Sequence, residues 1–202
     1  MGTNSNPVGA EMKLILATHN RHKVSELSAM LPESFTLMSL DDIGFNEEIE
    51  ETGSTFEDNA GIKSSLIYQK FRVPCIADDS GLQIDALNGE PGVYSARYAG
   101  EAASDINNCA LVLGNMKGKT NRSARFVSVI SFRWEGNEKL FRGELEGTIT
   151  QEPKGSQGFG YDPIFIPDGY AITLAEMQPE EKNAISHRAK AIQQLVTYLK
   201  LI

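Results

Sequence analysis

Cysteine is nearly absent from this chain, which has only Cys75 and Cys109 among 202 residues. Neither belongs to a C-x-x-C pair or to metal-ligand spacing, and each follows or sits within an apolar stretch. A disulfide framework is therefore not indicated, and the pattern points to buried free thiols in a reducing, cytoplasmic setting. Histidine is equally scarce: of three in all, two are His19 and His22, which makes a His-rich zinc centre improbable. Long apolar runs are missing too. Stretches such as Leu14–Ala17 have the length of a strand, far short of the ~18 residues of a membrane span. Positive charge is in deficit, with 19 Lys and Arg against 27 Asp and Glu, a net charge of −8. A protein that coats a nucleic-acid polymer needs a basic face, so that class is disfavoured. A small polyanion remains possible where a few cations converge.

What is present is the composition of a globular protein, 41% hydrophobic and 23% charged. Residues 1–11 are small and polar without periodicity and read as a disordered extension or expression remnant, leaving 12–202 as one domain. Lys13–Ala17 and Thr36–Leu40 read as short strands around a helix at His22–Leu31, whose stripe is Val24, Leu27, Met30 and Leu31. Ser54 and Glu57 have capping-box spacing for a helix running to Phe71, with Phe56, Ala60, Leu66 and Ile67 near one face. Pro74–Ala77 predicts a strand that ends at Asp78-Asp79-Ser80-Gly81, and Asp105–Met116 a helix presenting Ile106, Ala110, Leu111 and Leu113. Ala124–Trp134 and Lys139–Ile149 predict an antiparallel pair, Glu152–Gly160 a Gly-rich loop, and Pro179–Leu199 one long helix with Pro in its first turn. Together these predict an α/β protein with a mixed sheet.

Some motifs carry no chemistry. Gly114–Thr120 is one residue short of a P-loop and follows a helix rather than a strand, so it reads as a surface turn. Gly155, Gly158 and Gly160 are in the wrong order for a dinucleotide fingerprint. Four other groupings are chemically pointed, although each has an ordinary structural explanation when taken singly. Thr18-His19-Asn20-Arg21-His22-Lys23 lies where a strand feeds a helix, a place where unsatisfied N–H groups and a lysine attract phosphate. Glu51 and the Asp78-Asp79 pair are oxygen donors of the kind Mg²⁺ takes together with water and phosphate. Phe159-Gly160-Tyr161-Asp162 sets aromatic faces beside a glycine where a base can stack. Lys182, Ser186, His187 and Arg188 place cations on the last helix, Lys182 and Ser186 being four apart and so on one face. Phosphate, metal, base and cation sites in one small acidic chain point to a nucleotide.

The motifs Thr18-His19-Asn20-x-x-Lys23, Glu51-Thr52-Gly53, Ala77-Asp78-Asp79-Ser80-Gly81-Leu82, Tyr94-Ser95-Ala96-Arg97-Tyr98, Gly158-Phe159-Gly160-Tyr161-Asp162-Pro163 and Glu181-Lys182-x-x-x-Ser186-His187-Arg188 resemble the inosine/xanthosine triphosphate pyrophosphatase family. They run in order over essentially the whole chain from Met12. The resemblance implies a two-lobed α/β homodimer with its substrate cleft between the lobes. It also implies Mg²⁺-dependent hydrolysis of ITP, dITP or XTP to the monophosphate and pyrophosphate, which cleanses the nucleotide pool. Under it, Lys23, Lys63 and Lys182 neutralise the triphosphate with help from the backbone of Thr18–Lys23. Glu51 and Asp79 hold Mg²⁺, and Asp79 activates water with Ser80 and Asp78 in support. Phe159 stacks on the base, and His187 and Arg188 address its 6-oxo edge. Two rival readings are the related septum-associated nucleotide pyrophosphatases, whose N-terminal pattern is Ser- and Arg-rich, and a silent nucleotide sensor, which needs no Glu51–Asp79 pair.

Overall fold

The computed structural model describes residues 12–202 apart from the His22 side chain. The expectation for residues 1–11 and the ligand role of His22 lie outside the described residues. Six strands form one mixed sheet in the order β2-β1-β3-β4-β5-β6. β1 (Met12–Leu16) runs parallel to β2 (Phe35–Met38) and to β3 (Cys75–Ile84). From β3 onward every neighbour is antiparallel, through β4 (Ser123–Trp134), β5 (Asn137–Ile149) and β6 (Phe165–Pro167). The parallel half is joined by helices, α1 (Arg21–Met30) after β1 and α2 (Phe56–Phe71) before β3; α3 (Asp105–Asn115) precedes the long hairpin. The mixed α/β sheet expected from the pattern is what forms.

The pairing of β1 with β3 is brief. It covers only Ile15 with Cys75 and Leu16 with Ile76, while β3 stays paired with β4 along its full length from Cys75 to Ile84. Beyond Ile76 one edge of β3 therefore lies open past the end of β1. The expectation that β3 stops at Ala77 is corrected: the strand runs through Asp78-Asp79-Ser80-Gly81, because the β4 ladder continues to supply backbone partners.

Side-chain alternation along β3 assigns the two faces. Ile76 packs beneath α5 (His187–Leu199) with Leu14, Leu16 and Phe132, whereas Cys75 and Ala77 pack beneath α2 with Ile67. α5 seals the first face with Ala191, Ile192, Leu195, Val196 and Leu199, all buried. Each fully buried Leu or Ile contributes about 1.5–3 kcal/mol, so this helix is firmly seated. A third cluster fills the far ends of β3–β5 with Cys109 and Val112 of α3 and Met116 just after it, and both cysteines are buried free thiols.

Three local expectations are corrected. α2 is capped by Thr55, whose hydroxyl accepts from Asp58 N at 3.1 Å, rather than by Ser54, and Leu66 is exposed. α3 buries Asn108, Cys109 and Val112 while Ile106 is 80% exposed, so its inner face is rotated from the apolar stripe assigned to it. The last helix is broken in two. α4 (Pro179–Ile185) ends at Ser186, whose extended backbone (φ −62°, ψ 147°) turns the chain, and whose hydroxyl caps α5 by accepting from Ala189 N at 3.0 Å. Lys182 and Ser186 thus do not share a helical face.

Candidate active site

The open edge of β3 gathers many of the candidate functional side chains. Carboxyl ends of parallel strands in α/β sheets border ligand crevices, and here β1 ends where the Asp78–Gly81 segment begins. Asp78 and Ser80 face the side of α1 and α5, whereas Asp79 faces α2. Asp78 receives both of its partners from the first side. Lys23 Nζ in α1 donates to its two oxygens at 3.0 and 2.8 Å, and Arg188 at the start of α5 stands 3.8 Å away. Arg188 also reaches Ser80 Oγ at 3.5 Å and Glu26 at 3.7 Å. Burial opposes the charge on Asp78, but Lys23, Arg188 and Lys63 together outweigh it and hold this carboxyl well below the usual range.

Asp79 lies on the opposite face. Its Oδ2 accepts from Asn59 Nδ2 at 3.0 Å and its Oδ1 from Ser80 N at 2.9 Å. Burial pushes its carboxyl upward, Lys63 and Asn59 pull it down, and neighbouring Glu51 raises it again; the net direction is up. Lys63, one turn after Asn59 on α2, donates to Glu51 Oε1 at 2.5 Å and to the Asp78 carbonyl at 2.6 Å. Glu51 and Asp79 are thus neighbouring hard oxygen donors around one lysine. Among the described residues no cluster of three or more His, Cys, Asp and Glu side chains suited to a metal forms. A pair of carboxylates completed by water and phosphate is the donor set Mg²⁺ accepts, so these residues fit that ion.

Of the expected phosphate loop, Thr18 Oγ1 accepts from Asn20 N at 3.1 Å and Asn20 Oδ1 from Lys23 N at 3.3 Å, which shapes the entry to α1. His19 is exposed and pairs with Asp41 at 2.6 Å, and Arg21 is exposed at the first turn. The structure therefore brings Lys23, Asp78, Ser80 and Arg188 together, and Glu51, Lys63 and Asp79 together, while His19 and Arg21 point to solvent-facing positions.

A cavity of about 250 Å³ opens from Ser80 toward Phe126, Phe159, Lys182, His187 and Arg188. Phe159 is 68% exposed at its rim, with Lys182 Nζ 4.5 Å from the ring centre. Lys182 is ion-paired to Asp162, whose carboxylate also accepts from Phe159 N at 2.9 Å and thereby fixes the aromatic loop. Tyr161 also lines the cavity, is buried and donates to the Ser95 carbonyl at 2.7 Å, which anchors the loop to the segment before α3. Gly160 N donates to Asp105 Oδ2 at 2.6 Å, so α3 holds the loop from below. His187 stacks on Phe126 with ring centres 5.1 Å apart. Two buried atoms here, His187 Nδ1 and Arg188 Nε, have no partner among the described residues.

The comparisons with known proteins agree with this arrangement. The family model described as the Ham1 family matches residues 14–198. The chain belongs to the Ham1 family. Among its relatives are a dITP/XTP pyrophosphatase of Flavobacterium johnsoniae, 48% identical over 93% of this chain and 98% of that protein, and one of Bacillus subtilis strain 168, 50% identical over 92% and 96%. The solved structure of a HAM1 protein from Coxiella burnetii superimposes with a TM-score of 0.91 at 40% identity, covering 95% of this chain and all of that one.

Two residues of this Ham1 site escaped the sequence reading, Asn59 and Asp105. Asn59 is four residues before Lys63, so helical spacing already placed the two on one face, but an asparagine inside a helix carries no chemical flag. Asp105 was legible only as the first residue of a helix.

His187 supplies a test of the site's electrostatics. Burial, with Arg188 and Lys182 nearby, pushes its imidazole from 6.5 down to about 3. In that window the unfolded chain binds a proton that the folded chain does not, so stability falls as the pH is lowered from 6.5 toward 3. Urea unfolding of a His187→Gln variant should therefore show a shallower loss of stability between those values than the wild type. Equal slopes would mean that the folded protein carries a protonated His187.

Proposed function

We propose that this Ham1-family chain hydrolyses non-standard purine nucleoside triphosphates, of the dITP, ITP and XTP type, to the monophosphate and pyrophosphate. The observation that carries the reading is the open edge of β3: it joins a carboxylate pair on one side to cations on the other, with an aromatic-rimmed cavity of base size at its end. The names of the relatives from Flavobacterium and Bacillus support the substrate class. Two lobes with the cleft between them, a homodimeric state and a cytoplasmic location belong to the same reading. No helix of the described residues is long and apolar enough to cross a membrane.

In this mechanism Lys23 and Lys63 flank the triphosphate, and the turn from Thr18 to Lys23 offers backbone donors at the start of α1. Lys182, His187 and Arg188 meet the nucleoside end, with Phe159 closing over the base. Glu51 and Asp79 would hold Mg²⁺, which supplies charge stabilisation to phosphate oxygens when bound. Asp79, its carboxyl raised by burial, accepts a proton from the attacking water. The water oxygen bonds to the α-phosphorus, the bond from that phosphorus to the α–β bridging oxygen breaks, and pyrophosphate leaves with the electron pair. Ser80 and Asp78 hold the surrounding cations: Asp78 fixes Lys23 and Arg188, and Ser80 fixes Arg188.

Replacing Asp79 by Asn preserves its volume and removes the proton acceptor. Steady-state release of pyrophosphate from ITP should fall by at least 10²–10⁴, the order of magnitude a general base contributes, with folding intact by circular dichroism. Turnover near wild type would remove Asp79 from the chemistry.

Chelation tests the metal reading independently. Activity should vanish in EDTA and return with added Mg²⁺, because oxygen ligands without His or Cys suit a hard cation. Full activity after rigorous chelation would detach Glu51 and Asp79 from a metal role.

Base selection tests Arg188. Hypoxanthine and guanine share the 6-oxo acceptor and the N1–H donor, whereas adenine reverses both. A donor to O6 therefore discriminates against ATP and leaves GTP to be refused near C2, where an unpaired buried amine costs about 1–3 kcal/mol. Arg188→Ala should cut kcat/KM for ITP and XTP sharply and change the already low values for GTP and ATP less. Arg188 also touches Asp78 and Ser80, so a uniform fall for all four nucleotides would assign it to phosphate.

A further inference from the structure

Helix α2 buries two polar side chains that the mechanism above does not use, Asn59 and Ser64, both fully enclosed. Ser64 is explained by packing: its hydroxyl pairs with Ser131 Oγ at 2.7 Å, tying α2 to β4. Asn59 points elsewhere. Its Oδ1 accepts from Gly53 N at 2.8 Å, and its Nδ2 donates to Asp79 Oδ2 at 3.0 Å. The two ends of a carboxamide are not interchangeable here, since the Gly53 amide can only donate and an ionised Asp79 can only accept. Both bonds together fix which way the side chain is flipped, and its burial fixes where it sits.

The surroundings are shaped around this tie. A Cβ on Gly53 would stand 2.4 Å from Asp58 Cβ and 2.7 Å from Asn59 Oδ1, so only glycine lets the Glu51-Thr52-Gly53 segment lie this close to α2. Asp79 receives Ser80 N on its other oxygen, so each carboxylate oxygen has one protein donor and keeps lone-pair capacity on its remaining side. One helical turn onward, Lys63 makes a parallel cross-tie from Glu51 to the Asp78 carbonyl. The two ties differ in kind. Lys63 holds Glu51 through charge and competes with any cation drawn to that carboxylate, whereas the Asn59 amide is neutral and orients Asp79 without that competition.

We propose that Asn59 is a positioning residue, whose carboxamide locks the Glu51-bearing loop and the Asp79 carboxylate into one fixed relation. The inference rests on the reading of Glu51 and Asp79 as metal-holding groups. A purely space-filling residue at this depth would need neither polar end, and an apolar replacement leaves the Gly53 N–H and an Asp79 oxygen unpaired.

The test uses Asn59→Leu, which keeps the bulk, and Asn59→Asp, which keeps the acceptor for Gly53 but replaces the donor to Asp79. In nucleotide-free protein, Mn²⁺ affinity followed by electron paramagnetic resonance should weaken by about 10–100-fold, the usual effect of losing an outer partner of a metal ligand. Amide exchange at Gly53 should accelerate in Asn59→Leu. With ITP, kcat should fall by a comparable factor while KM for the nucleotide changes little. Gly53→Ala removes no reacting group yet displaces the carboxamide, and should give the same division between kcat and KM if the Asn59 variants do not fold. Wild-type Mn²⁺ affinity and kcat in a folded Asn59→Leu protein, even one of lowered melting temperature, would reduce Asn59 to packing and overturn the proposal. Asp79→Asn separates the two levels. An active Asp79→Asn enzyme would sink the parent reading, whereas an inactive one beside a wild-type-like Asn59→Leu would sink only this inference.

Discussion

The early end of β1 beside a β3 strand that continues is the constraint from which the site follows. A strand in the middle of a sheet cannot leave its backbone groups unpaired, and β3 loses its parallel neighbour after Ile76. The vacated edge is satisfied from outside the ladder: Lys63 Nζ takes the Asp78 carbonyl, the Asp79 side chain takes Ser80 N, and Ser95 Oγ takes Leu82 N. Partners recruited to complete the sheet are thus also the partners that line the crevice. Because side chains alternate across the strand, one short acidic segment serves two faces, with Asp78 meeting α1 and α5 and Asp79 meeting α2.

Charge in this acidic protein is arranged by pairing rather than by a basic patch. Each of the three lysines that line the crevice already holds a carboxylate: Lys23 with Asp78, Lys63 with Glu51, Lys182 with Asp162. Buried pairs of this sort return little net stability, because desolvation of both partners offsets their attraction. Their value is in orientation. Asp78 in particular stays ionised under the combined pull of Lys23, Arg188 and Lys63, and so pins two helices' cations at one end of the crevice.

The base end depends on backbone geometry. A Cβ at Gly143 in β5 would come within 2.0 Å of the His187 carbonyl, so glycine there lets the start of α5 press onto the sheet. Ser186 breaks the chain's last helix and caps the new one, and this redirects His187 and Arg188 toward the cavity while Lys182, on the separate α4, turns to Asp162. A single straight helix would have carried these residues around its axis to different directions.

Element type was largely legible in the chain. Hydrophobic period separated helices from strands, and the two long strand-like runs at Ala124–Trp134 and Lys139–Ile149 announced the hairpin, because side-chain periodicity is a local property. Motif order likewise identified the residue types of a nucleotide site and, through them, the family. Other features were not local. The continuation of β3 through two aspartates contradicts strand propensity and is decided by the β4 ladder opposite. The break at Ser186, where an extended backbone and a side-chain cap start α5, goes with a close approach of that helix to Gly143 on a distant strand. The tie from Asn59 to Asp79 joins residues twenty positions apart. Sequence alone thus determined which chemical groups this protein carries and in what order, since covalent spacing and periodicity suffice for that. Which groups face one another was decided only by the tertiary structure, because that depends on where β1 stops and on which helix covers each face of β3.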